Sequence, residues 1–203
     1  MADSPSLFAQ LASSVAATSP VEGAAVVLAV AYLLLAMRQD RRCWIAGGVS
    51  AVMFLWVFAG SHVYLQAALQ AVYIGLAFYG WQQWKHGAAG AAMPVSVGSL
   101  RGNLWAMLAI AAATVVVALA LSAWTDSPSP WLDTGTTLAS LFATSLTARK
   151  RLESWLWWIA INVVTAVLFW QQQLLLTATL YCSYSVMAVG GFRSWRRSMG
   201  SRP

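Results

Sequence analysis

The chain has 203 residues, of which 60% are hydrophobic and only 9% charged, and its mean hydropathy is +0.65. Soluble domains carry about 25% charged residues, so this supply cannot cover a water-facing surface, and composition points to an all-α membrane protein. The formal charge of +6 then reads as membrane topology, so the bilayer is an expected partner and nucleic acid is not.

Residues 1–19 carry no basic n-region, so no cleaved signal peptide is expected. Leu7, Phe8, Leu11 and Val15 suit a short interfacial helix there. A spanning helix needs about 17–25 mostly apolar residues, and that window places spans near 20–37, 43–60, 64–83, 103–124, 131–148, 152–170 and 174–192. Short polar stretches separate them, among them Arg38 to Arg42, the Gly/Ala/Pro-rich 85–102, Arg149 to Arg151 and Gln171 to Gln173. Cys43 and Cys182 read as small buried hydrophobes, with no disulfide or metal implied.

Charge tests the count of seven, because Lys and Arg concentrate on the cytoplasmic side. All 12 basic residues follow odd-numbered spans. Arg38, Arg41 and Arg42 follow the first, Lys85 and Arg101 the third, Arg149 to Arg151 the fifth, and Arg193, Arg196, Arg197 and Arg202 the seventh. The opposite connections hold His62, Asp126, Asp133 and glutamines. The N-terminus is expected outside and the C-terminus in the cytoplasm.

The chain also resembles itself at one offset, 111 residues. Trp44 matches Trp155, Leu65 matches Leu176, Tyr73 matches Tyr184, Gly80 matches Gly191 and Trp84 matches Trp195. Spans one to three therefore match five to seven in the same orientation, with span four as connector. Parallel repeats of this kind have their axis along the membrane normal and their substrate site at the interface. The divisions are an N-terminal segment 1–19, a first repeat 20–84, a loop and linker helix 85–130, a second repeat 131–195 and a tail 196–203.

Polar and aromatic stripes carry the chemistry, since no Asp, Glu, Lys or Arg is convincingly buried in a span. Ion coupling usually leaves such groups, so their lack argues against a proton- or sodium-driven pump. Hydrolytic and redox motifs are missing too, so neither an enzyme nor a cofactor is expected. In span six, Trp155, Trp158 and Asn162 share one helical face. Two indoles beside an amide suit a flat hydrogen-bonding ligand, and a cationic ring would gain cation–π attraction. Trp155 equally suits the interfacial belt, and Asn162 equally suits interhelical packing.

Span three offers Gln70 and Tyr73, and span seven offers Tyr181 and Tyr184 at the matching positions. Such inequality is expected when a pseudo-symmetric cavity binds an asymmetric ligand, although interhelical hydrogen bonding would also use these residues. Thr137 and Ser140 lie one turn apart in span five, and Trp44 is the repeat partner of Trp155. Trp84 and Trp195 read as cytoplasmic-interface anchors, Gly80 and Gly191 as close helix contacts. Arg149 and Glu153 have the spacing of an i, i+4 ion pair.

The strings Gln70-x-x-Tyr73, Tyr79-Gly-Trp81-x-x-Trp84 and Ala148-Arg-Lys-Arg-Leu-Glu-Ser-Trp155-x-x-Trp158-x-x-x-Asn162 resemble the PnuC family of bacterial vitamin transporters. The likeness runs from about residue 20 to 197. One departure is Gly190-Gly191, where the first repeat has Tyr79-Gly80. The resemblance implies two parallel three-helix bundles joined by a linker helix, a SWEET-like 3+1+3 arrangement in the inner membrane. It also implies facilitated diffusion of nicotinamide riboside, trapped by cytosolic phosphorylation, with Trp155, Trp158 and Asn162 in the ligand site. Similar proteins are associated with thiamine or riboflavin, so both stay open as substrates. The trimeric habit of SWEET-like assemblies makes a homotrimer an expectation. A seven-span receptor is disfavoured by the short tail from Arg196 to Pro203.

Overall fold

The computed structural model describes residues 20–62, 64–85, 93–124, 129–171 and 175–200. The expected interfacial helix near Leu7 to Val15 lies outside them. Seven helices are found among these residues: α1 (Pro20–Met37), α2 (Arg42–Gly60), α3 (Tyr64–Lys85), α4 (Leu100–Trp124), α5 (Pro130–Ala148), α6 (Glu153–Gln171) and α7 (Leu175–Gly200). The described residues contain no strand, only an isolated parallel bridge between Ser96 and Arg151. Arg42–Gly60, Leu100–Ala123 and Glu153–Gln171 are long and apolar enough to cross a membrane by length and composition alone. Large apolar side chains such as Val27, Trp56, Val116 and Val186 stand exposed, which a soluble monomer rarely tolerates over so wide a surface. This is a membrane protein.

The helices end where the backbone reverses into the left-handed region. After α1, Gln39 takes φ 58°, and after α5, Lys150 takes φ 49°. Asp40 N–H donates to the Leu35 carbonyl and Arg151 N–H to the Leu146 carbonyl, a 6→1 closure in both cases. Around them, Gln39 N–H donates to Ala36 and Lys150 N–H to Thr147. This is the Schellman cap, built here on residues other than the usual glycine. The two turns match bond for bond at the 111-residue offset. Several hydroxyls within the helices are satisfied locally: Thr144 donates to the Ser140 carbonyl, Thr147 to Ala143 and Thr165 to Ile161, whereas those of Thr114, Thr134 and Ser154 are buried without a hydrogen-bond partner among the described residues. Back-bonding of this kind lets Ser and Thr sit in an apolar helix without an orphaned donor.

Six helices close a ring through the contacts α1–α2, α2–α3, α3–α5, α5–α6, α6–α7 and α7–α1, while α4 packs mainly on α5. A tryptophan core joins the ring at one end. Trp44 crosses Trp84 edge-on at 5.6 Å and 89°, and Trp155 crosses Trp195 at 5.5 Å and 88°. Gly80 and Gly191 make room for this. A Cβ would come within 2.3 Å of the Trp44 ring at Gly80 and within 2.5 Å of the Trp155 ring at Gly191.

Several sequence expectations change here. Trp84 and Trp195 are buried, not interface anchors, because each spends its N–H on a carbonyl across the ring. Glu153 does not form the expected pair with Arg149 among the described residues. Its Oε1 accepts the Gly98 N–H, and Oε2 is buried without a hydrogen-bond partner. Lys150 does not join the solvated basic cluster either; it is 4% exposed, with its ammonium 4.5 Å from the Trp84 ring centroid. Cys43 is buried as expected, whereas Cys182 is exposed.

Loop 93–99 is stitched to the α5–α6 turn. Ser96 N–H donates to the Lys150 carbonyl at 3.0 Å, and Leu152 N–H to the Ser96 carbonyl at 2.9 Å. Arg151 Nη1 donates to Val97 O, and Trp157 Nε1 to Asn103 Oδ1. The start of α4 is thereby fixed to the second half of the chain.

Candidate binding site

A cavity of about 240 Å³ opens among α1, α2 and α3 and reaches α5 and α6. Trp44, Gln70, Tyr73 and Trp158, all singled out from the sequence, line it. Gln70 and Tyr73 lie almost one turn apart on α3, so both face inward together. Tyr73 on α3 has Ser140 of the facing α5 as a neighbour. Trp158 comes from α6 and packs against Ala139, Ala143 and Ile161 on its other side.

The remaining sequence candidates fall elsewhere. Trp155 is only 2% exposed and is not in the lining; its ring lies over Gly191 and against Trp195. Asn162 is buried on α6, one turn beyond Trp158, and is also outside the lining. Tyr181 and Tyr184 form an edge-on pair on α7 at 5.9 Å, with Phe169 stacked on Tyr181 at 5.6 Å. They and Thr137 do not border this cavity. The indole N–H groups of both Trp44 and Trp155 are buried without a hydrogen-bond partner among the described residues.

The other eight lining residues escaped the sequence reading, among them Tyr32 on α1, Ser50 and Phe54 on α2 and Thr144 on α5. Tyr32 is the sole aromatic residue of α1, which was the available signal. None of the lining residues is Asp, Glu, Lys, Arg or His. The wall is apolar and aromatic with a few amide and hydroxyl groups, the composition that small-molecule sites favour.

A helical membrane protein with an uncharged, aromatic cavity reached by helices from both halves belongs to the class of small-molecule carriers. The family described as "Nicotinamide mononucleotide transporter" matches residues 19–197. A curated relative, the riboflavin/roseoflavin transporter RibM of Streptomyces davaonensis, is 31% identical over 87% of this chain and 85% of its own. The nicotinamide riboside transporter PnuC of Escherichia coli is 23% identical over 90% of this chain and 88% of its own. The crystal structure of the vitamin B3 transporter PnuC superposes with a TM-score of 0.69 at 22% identity, covering 90% of this chain and 83% of that one. The chain belongs to this family of PnuC vitamin transporters, and it is a transporter, not an enzyme.

Proposed function

We propose that the protein carries nicotinamide riboside across the bacterial inner membrane by facilitated diffusion, with cytosolic phosphorylation trapping the product. The observation that carries this reading is the cavity in which Trp158, Trp44, Gln70 and Tyr73 meet. Indole faces would hold the pyridinium ring by stacking and cation–π attraction, and the amide and phenol would read its polar edges. The uncharged lining supports uniport, because no side chain there can trade a proton. Asn162, one turn from Trp158, and Trp155, behind it, are proposed to complete the site when the helices shift. Tyr181, Tyr184, Thr137 and Ser140 are proposed to line the pathway on the second half. Seven spans in a SWEET-like 3+1+3 arrangement, the N-terminus outside and the C-terminus in the cytoplasm fit the one-sided basic residues. A homotrimer is proposed on the same likeness.

A second substrate, riboflavin, is favoured by the 31% identity to a riboflavin/roseoflavin transporter. Ligand-induced thermal stabilisation of the detergent-purified protein separates the two. A ligand at a hundredfold excess over its dissociation constant adds about 2.7 kcal/mol of apparent stability. Nicotinamide riboside, riboflavin, thiamine and nicotinamide would be compared. A shift with nicotinamide riboside alone is expected; a shift with riboflavin or thiamine alone would keep the carrier and replace its substrate.

A further inference from the structure

The α2 run Trp44-x-x-Gly47-x-x-x-Ala51 stands 111 residues before Trp155-x-x-Trp158-x-x-x-Asn162 on α6. The leading tryptophans correspond and take matching seats, over Gly80 and Gly191. The next two positions do not correspond in size: Gly47 and Ala51 stand where the second half has Trp158 and Asn162. The neighbouring helix is exchanged in the opposite sense, because Tyr32 on α1 corresponds to Ala143 on α5. Large therefore meets small in both halves, with the sides reversed.

In the second half, Trp158 packs against an apolar cluster that includes the small Ala139 and Ala143 of α5. In the first half, the Tyr32 ring lies against Gly47, where a Cβ would come 2.9 Å from its Cδ2. Trp44 meets the same ring edge-on at 5.7 Å and 66°. Tyr32 is thus held on one side by a residue that has no side chain and braced on another by an indole. Both Tyr32 and Trp158 border the same cavity.

We infer that Tyr32, seated by Gly47 and Trp44, is a specificity-determining wall of the substrate site, and that with Trp158 it sets how wide a ring the cavity admits. This rests on the reading of that cavity as the substrate site. A methyl at position 47 must push the ring, since contacts under 3.0 Å force something to move. The Trp44 brace leaves the cavity as the side that yields. Removing the ring at position 32 widens the same space. The two changes therefore bias selection in opposite directions between a single pyridine ring and a three-ring isoalloxazine.

The test measures dissociation constants of nicotinamide riboside and riboflavin on the detergent-purified full chain, for the wild type and for Y32F, Y32A, G47A and W158A. Y32F keeps the ring and should leave the affinity ratio unchanged. Y32A should weaken nicotinamide riboside about tenfold, the worth of an aromatic contact, and move the ratio toward riboflavin. G47A should move it toward nicotinamide riboside. A purely structural role would lower both affinities together and leave the ratio alone, and that result overturns the inference. If Y32A does not give a single size-exclusion peak, the direction of the ratio in G47A decides. Loss of binding in W158A with an unmoved ratio in the other variants sinks Tyr32 as a determinant and leaves the site standing. Wild-type affinities in every variant, W158A included, sink the site and the inference together.

Discussion

Trp84 and Trp195 face each other with ring centroids 6.0 Å apart, and each donates its indole N–H to the opposite half of the chain. Trp84 Nε1 reaches the Ala148 carbonyl at 3.0 Å, and Trp195 Nε1 reaches the Ala36 carbonyl at 2.9 Å. These carbonyls end α5 and α1, the helices that correspond in the repeat. The bonds form a reciprocal clasp, but an unequal one: Trp84 supplies a donor to the Ala148 carbonyl in the last turn of α5, whereas the Ala36 carbonyl also accepts the Gln39 N–H. Trp84→Phe should destabilise the protein by about 1–3 kcal/mol, the cost of an unsatisfied buried group, and Trp195→Phe by less, because the Ala36 carbonyl keeps the Gln39 N–H. Thermal unfolding followed by tryptophan fluorescence in detergent measures it, and the loss should be larger for Trp84→Phe.

The glycine seats give a sharper contrast. Gly80→Ala and Gly191→Ala place a methyl inside the contact distance of a Trp ring, and overpacking of this kind costs about 1–3 kcal/mol. At Gly75, also on α3, a Cβ meets nothing within 4 Å. Gly75→Ala should be neutral or mildly stabilising, because alanine is the better helix former. Melting curves of the three variants, run side by side, should separate by this rule.

Lys150 offers a test of charge buried at a turn. Its ammonium sits over Trp84, and a desolvated cation–π contact is worth about 2 kcal/mol. Lys150→Met keeps the aliphatic stem and removes the charge. It should lower the unfolding midpoint by more than Arg149→Met does, since Arg149 is exposed.

Uniport predicts the energetics of uptake. Vesicles containing the protein should equilibrate nicotinamide riboside to the outside concentration and stop there. With the membrane potential clamped at zero, an imposed proton or sodium gradient should change neither the rate nor the end point. Accumulation above the outside level under either gradient would replace uniport with coupled transport.

At Asn162, the prediction concerns binding without folding. Asn162→Leu is close in volume and should preserve the helical circular dichroism signal while abolishing ligand-induced stabilisation. Retained stabilisation would assign Asn162 to packing alone.

The helices were legible because apolar runs here are broken by short polar clusters. The expected span 131–148 is the helix Pro130–Ala148, and 64–83 is Tyr64–Lys85. α7 continues past the expected span end at 192 to Gly200. The added turns dock on the α1–α2 turn, with Ser194 Oγ donating to the Met37 carbonyl and Gln39 Nε2 to Ser198 Oγ. Partners more than 150 residues apart leave no local pattern. The cavity was legible only in part, for a related reason. Gln70 and Tyr73 stand out as polar residues in an apolar helix, whereas a single tyrosine such as Tyr32 looks like any other lipid-facing or packing aromatic. Only its seat on Gly47 distinguishes it.

The matched turns at Gln39 and Lys150 have a consequence for how such a chain could arise. The backbone joints agree down to single hydrogen bonds, while the side chains around them differ, the pattern that duplication followed by divergence would leave. A chimera carrying a second copy of residues 131–195 in place of 20–84 would keep those joints. It would also put tryptophan and asparagine at positions 47 and 51, where small residues now stand, and alanine at 32. A chain of two identical halves would enclose a different hollow, so the present one depends on the halves being unlike.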